Sequence, residues 1–259
     1  FGFERMMDTL GAIVGPASAF LLLAAFHHRF SLLFAATLIP GLIAVGLIAF
    51  LVKEKKRKPV PHISFGEQLR RLPVSYRKFL VAVGLFGAGA FAHPLLILLA
   101  AQKLTPALGA AQAASVAVAL YILHNIFYAT FALIAGWLAD RFKKNYVLAA
   151  GYFLAALMAA AIMVLPFTTG SLALIFISGG VYVAIEETLE DSFCAELVDE
   201  SQHGMAFGVL ATVNGVGDFL SSIVIGALWT AFGTTAAFGY SAALFIAGAL
   251  LVFRLRPVK

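Results

Sequence analysis

Residues 136–145 read Gly136-Trp137-Leu138-Ala139-Asp140-Arg141-Phe142-Lys143-Lys144-Asn145. An apolar run at 112–138 ends where this stretch begins, and another, at 146–165, starts where it stops. A helix needs about 20 apolar residues to cross the ~30 Å hydrocarbon core of a bilayer, and each run is long enough. The charged connection between them has room only for a turn at the membrane surface. Working outward, six further runs qualify: 8–26, 31–52, 78–100, 171–192, 205–231 and 236–254. Turn residues or charges divide them, such as His27-His28-Arg29, Pro166-Phe167-Thr168-Thr169-Gly170 and Gly233-Thr234-Thr235. Backbone amides in lipid must bond within their own segment, which makes each run a helix. No run alternates apolar and polar residues, as barrel strands do. The expected fold is all-α: a polytopic membrane protein with about eight transmembrane helices.

Composition agrees. The chain is 62% hydrophobic and 12% charged, where a soluble domain carries roughly 25% charged residues. So few charges cannot cover a water-facing surface. The one cysteine, Cys194, excludes a disulfide framework and a multi-cysteine metal site.

The basic residues set the orientation. With eight spans, sixteen of the eighteen lysines and arginines fall on one side, from Arg5 through the run Lys53, Lys55, Lys56, Arg57 and Lys58 to Lys259. Arg29 and Lys103 fall on the other. The positive-inside rule puts the rich side, with both chain ends, in the cytoplasm. The net charge of +5 is thereby a topology signal that calls for no nucleic-acid partner. Residues 53–77 are the one long polar stretch, with Pro59, Pro61, Pro73 and a short amphipathic piece around Ser64–Leu72. They read as a cytoplasmic linker between a pair of helices in 1–52 and a six-helix bundle in 78–259. A shift of 202 residues lays the first pair on the last, Gly2 on Gly204, Val14 on Val216 and Gly15 on Gly217. Such a repeat implies that the six-helix unit has a partner represented here by two helices.

Three stretches carry a family resemblance. The 136–145 loop resembles the G-x-L-A-D-R-x-G-R-R signature of the major facilitator superfamily in its second-half copy, with Lys143 in place of the second glycine and Asn145 in place of a basic residue. Gly136 suits a close helix approach, Asp140 an acceptor at a helix N-terminus, and Arg141 and Lys144 anchors to the cytoplasmic face. The stretch from Arg5-Met6-Met7-Asp8 through Gly11-Ala12-Ile13-Val14-Gly15-Pro16 resembles the fifth helix of bacterial members, where G-x-x-x-G-P accompanies export by antiport. Ala19 and Phe20 replace its trailing glycines. Gly11 and Gly15 share a face fit for tight crossing, and Pro16 is expected to bend the helix. Glu186-Glu187-Thr188-Leu189-Glu190-Asp191 with Gly204-Met205-Ala206-Phe207-Gly208 resembles the tenth-to-eleventh helix region. The resemblance implies helices five to twelve of a twelve-helix transporter. The first four would be missing, in keeping with a start at Phe1-Gly2-Phe3-Glu4-Arg5 that shows neither initiator Met nor cleavage-site pattern.

A charge inside a span costs roughly 2.5–3.5 kcal/mol on insertion scales, so each one needs a reason. Asp218, deep in its helix, with Asn214 one turn earlier, is the leading candidate for binding substrate or proton; a structural hydrogen bond is the alternative. Glu186 and Glu190, and Glu187 and Asp191, form two acidic stripes. Glu190 and Asp191 are expected near the solvated surface. Glu186 and Glu187, a turn deeper, are read either as proton carriers or as paired or solvated carboxylates. His93, before Pro94, and His124-Asn125 lie at membrane depth, as titrating groups or as neutral residues bonded to the backbone. No catalytic, metal-binding or cofactor motif is found. Gly239-Tyr240-Ser241 matches the G-x-S of intramembrane serine proteases only as a triplet. The resemblance implies a secondary transporter working by alternating access in the bacterial inner membrane, its partners a small-molecule substrate, protons, the lipid bilayer and the missing helices. Export by proton antiport is the first reading. Proton-coupled uptake and a non-transporting receptor or assembly subunit are the alternatives.

Overall fold

The computed structural model describes residues 1–25, 30–51 and 65–255. Among them are eleven α-helices: α1 (Gly2–Ala25), α2 (Phe30–Ala36), α3 (Leu38–Leu51), α4 (Phe65–Arg71), α5 (Val74–Gly89), α6 (His93–Leu108), α7 (Ala110–Arg141), α8 (Lys144–Val164), α9 (Thr169–Leu197), α10 (His203–Phe232) and α11 (Thr234–Arg254). No strand occurs among the described residues. The chain is an all-α, multi-pass membrane protein. Among the described residues seven spans are long and apolar enough to cross a membrane: Phe34–Leu51, Val74–Leu108, Ala110–Arg141, Lys144–Val164, Thr169–Leu197, Glu200–Phe232 and Thr234–Arg254. The expected first span forms α1, an unbroken helix through Pro16 that is not among those seven. At 1.5 Å per residue its 24 residues reach about 36 Å.

Two expected spans differ from a single rod. The second is divided at Thr37, because the ring of Pro40 displaces the carbonyl of Ala36, four residues back. The third, expected over 78–100, begins within the expected linker at Val74 and is two helices, α5 and α6. Of the linker, residues 53–64, with the basic run at 53–58, lie outside the described residues, and so do His27-His28-Arg29, Val52, Arg256 and Lys259. The expected amphipathic piece is α4.

Helices α5–α11 pack as one bundle. α7 lies along α9, α8 between α9 and α11, α5 between α10 and α11, and α6 against α7. At its centre the Phe86 ring stacks on Tyr152 at 3.8 Å and on Phe245 at 4.5 Å, while Phe79 meets Phe193 edge-on at 5.3 Å. All five are buried. Large apolar side chains such as Phe153, Leu157, Leu174, Leu250 and Phe253 point outward, which is correct where the solvent is lipid. Small residues set the closest crossings. A Cβ on Gly217 of α10 would stand 3.1 Å from Cα of Gly87 in α5, and one on Gly180 of α9 would strike the main-chain oxygen of His124 in α7.

α1 leans along α7 and reaches α9. It comes closest at Gly2, whose Cβ would stand 2.6 Å from the main-chain oxygen of Ala132 and 3.3 Å from Cα of Gly136. The close approach expected of Gly136 is thus made to α1. Gly11 and Gly15 have nothing within 4 Å, so the tight crossing expected there has no partner among the described residues. α3 has no buried residue.

Candidate functional site

The site begins at the gap between α5 and α6. In a continuous helix the ring of Pro94 would collide with the carbonyl of residue 90, and Pro94 supplies no amide proton. The chain escapes by turning extended: Ala90 has φ −66° and ψ 139°, Ala92 φ −61° and ψ 138°, and the helix resumes at His93. Irregular backbone at membrane depth is stable only when packed in protein or lining a cavity. Here residues 90–94 line a cavity of about 280 Å³, facing Tyr182, Glu186 and Glu187 of α9 and Asp218 and Ser222 of α10.

Helical spacing puts the carboxylates of α9 in two stripes, and the structure gives the stripes different partners. The Glu187–Asp191 stripe faces α1 and α7. Arg5 places Nη1 3.3 Å from Glu187 Oε2 and Nη2 2.7 Å from Asp191 Oδ2. The Tyr128 hydroxyl donates to the same Glu187 oxygen. The Glu186–Glu190 stripe faces α8 and α10. Glu190, expected near a solvated surface, is instead only 2% exposed. It accepts from the Tyr152 hydroxyl and, at 2.8 Å, from Asn214 Nδ2. The reason is that α9 continues to Leu197, one and a half turns past the expected end, so residue 190 stays inside the bundle. Asn214 is thereby a clamp on Glu190. Asp191 is ion-paired and partly buried, no longer a merely solvated group.

Glu186 and the Asp218 side chain make no hydrogen bond or ion pair with any described residue. Both line the cavity at the helix break and a neighbouring one of about 150 Å³, which Arg5 and Asn214 also line. Asp218 is exposed on the open side of the bundle, and only its main-chain oxygen is used, accepting from Ser222 at 2.7 Å and Ser221 at 3.0 Å. The structural hydrogen bond considered for Asp218 is absent among the described residues. The structure thus brings together Asp218, Asn214, Glu186, Glu187 and His93, from three spans widely separated in sequence.

His124 and Asn125 stand one layer behind. His124 is buried against the glycine pair of α9, its Nδ1 3.2 Å from the main-chain oxygen of Phe176. That carbonyl can only accept, so Nδ1 carries the proton and Nε2 offers a lone pair; Nε2 has no partner among the described residues. The His93 ring lies 4.8 Å away, near perpendicular, and Tyr121 stacks on His124 at 5.9 Å. Asn125 donates to Tyr121 O in its own helix at 2.9 Å, a local bond that does not reach the cavity.

The 136–145 loop is held differently from the expectation. Asp140 is exposed and caps nothing; α8 starts at Lys144 without a side-chain cap. Arg141 lies 4.1 Å above the Trp137 ring. Lys144 ties the start of α8 to the end of α9, 3.1 Å from Glu196 and 3.3 Å from the Ser192 oxygen. Asn145, where the signature has a basic residue, donates to the oxygens of Leu255 at 2.9 Å and Phe253 at 3.3 Å, closing the C-terminal turn of α11. Ser241, of the serine triplet, is fully buried and its hydroxyl turns back to Ala237 O at 3.4 Å.

Two overlapping stretches, residues 1–185 and 80–259, match the sequence pattern of the Major Facilitator Superfamily. The chain belongs to this superfamily. It is similar to an MFS-type transporter of Methanocaldococcus jannaschii, 28% identical over 254 residues that make up 98% of the chain and 63% of the relative. The chain therefore spans about 63% of the length of the curated relative it matches. Membership of a superfamily of transporters agrees with the expectation that the chain is not an enzyme.

Proposed function

We propose that the chain is the larger part of a secondary transporter that works by alternating access and exports a small molecule in exchange for protons. Residues 78–259 would form the second six-helix bundle, residues 1–52 the last two helices of the first, and 53–77 the cytoplasmic linker, with both ends of the chain in the cytoplasm. One observation carries the reading. Carboxylates of α9 and α10 meet at a broken helix inside the membrane, and two of them, Glu186 and Asp218, have no hydrogen-bond or ion-pair partner among the described residues. A carboxylate within a spanning helix can exchange its proton for a bound ligand, which is the elementary step of proton coupling. The partial G-x-x-x-G-P pattern on α1 supports export over uptake.

The test is flux in proteoliposomes made with the full-length carrier. Asp218→Asn should lower proton-driven flux at least tenfold while leaving the protein folded. Undiminished flux in that variant removes Asp218 from the mechanism, and proton-driven flux toward the side bearing the basic loops reverses the assigned direction.

A further inference from the structure

The two inner cavities share carboxylates but differ in charge. The smaller contains Arg5, which is ion-paired to both carboxylates of the Glu187–Asp191 stripe. Among the described residues no lysine or arginine lines the cavity at the helix break, although Glu186, Glu187 and Asp218 all face it. Its other polar groups also offer lone pairs. The Ser222 hydroxyl has spent its proton on Asp218 O, and His93 contributes an imidazole. Behind His93, the buried Nε2 of His124 is an acceptor without a donor among the described residues. A His93 N–H turned toward that atom would leave the second His93 nitrogen as a lone pair facing the cavity, the tautomer fixed through His124 by the Phe176 carbonyl. The remaining wall is aromatic and aliphatic, with Phe91, Pro94, Tyr182 and Val183. A volume of about 280 Å³ is at the small end of ligand sites.

We propose that this cavity binds a small organic cation with N–H donors, an ammonium or amidinium on a compact apolar body. Glu186 and Asp218 hold its charge, His93 accepts one N–H, and Tyr182 and Phe91 cover its apolar part. Carboxylates without a cation are the obvious counter-charge, aromatic faces add cation–π attraction, and a lining with three carboxylates and no basic side chain rejects anions. The inference rests on the transport reading only in taking the occupant of the site to be the cargo.

Equilibrium binding to the full-length protein in detergent tests it without a membrane or a gradient. The probes are phenethylammonium, uncharged 2-phenylethanol, anionic phenylacetate and quaternary phenethyltrimethylammonium. Phenethylammonium should bind at least tenfold more tightly than the alcohol or the anion. Glu186→Gln and Asp218→Asn should each weaken it about tenfold. His93→Ala should weaken the primary ammonium and leave the quaternary one unchanged, which a merely structural role of His93 does not predict. The Asp218 side chain has no partner to lose among the described residues, so its variant keeps the test open if Glu186→Gln fails to fold. Absence of phenethylammonium binding at millimolar concentration, equal binding of phenylacetate, or full affinity in Asp218→Asn overturns the proposal. Cation binding without proton-driven flux would sustain the site and remove the transport reading; flux without cation binding would do the reverse.

Discussion

Asn214 and Asn125 illustrate how two similar side chains carry different weight. Asn214 reaches from α10 to the buried Glu190, whereas Asn125 bonds only to its own helix. Asn214→Ala leaves one oxygen of an almost inaccessible carboxylate unsatisfied and should cost about 1–3 kcal/mol. Asn125→Ala should cost about 1 kcal/mol or less, as membrane side-chain hydrogen bonds average about 0.6. Thermal unfolding in detergent compares them, and equal losses would contradict the clamp. At this scale much of the site was legible, since ionisable residues in an apolar run announce themselves. Which carboxylate takes which partner was not. The clamp of Tyr152 and Asn214 on Glu190 joins positions 38 and 24 residues away, and a tyrosine in an apolar run carries no mark of what its hydroxyl will meet. Arg5 read as a topology signal because nothing in one dimension places it beside α9.

Helix ends α7 to α11 fall within a few residues of the hydropathy edges, because the transition from lipid to water is written in composition. The gap at Ala90–Ala92 escaped because alanine and phenylalanine are equally apolar in helix and in extended chain; only Pro94, with Gly87 and Gly89 before it, hinted at the interruption. Crossings obey a similar logic. Gly180 meets the His124 main chain, while Gly11 and Gly15 meet nothing within 4 Å, although all three are glycines on apolar helices. Gly180→Ala should part α7 from α9 at a cost of about 1–3 kcal/mol. Gly11→Ala should be neutral or stabilising by up to about 1 kcal/mol in this chain. Detergent melting curves rank the pair, and a stable Gly180→Ala would show the crossing to be loose.

Across the whole molecule, charge separates the two membrane faces. Among the described residues Arg141, Lys143, Lys144 and Arg254 lie at one end of the bundle, at the α7–α8 turn and the close of α11, where Asn145 joins them. Lys103 lies at the other end, near the α6–α7 turn, over the Phe167 ring at 4.8 Å. A fluorescent protein fused after Lys259 should therefore glow in cells, and alkaline phosphatase inserted at Gly109 should be active; the opposite pair of results would invert the topology. One junction inside the bundle bears on how it moves. A methyl group on Gly217 would press to 3.0 Å from the carbonyl carbon of Gly87, so α5 and α10 are held close at that point. Three residues later the rod beyond α5 loses its ladder of amide bonds. Any tilt of α6 must pivot there, like a door leaf on a fixed post, opening and shutting one end of the carboxylate chamber while its floor stays still.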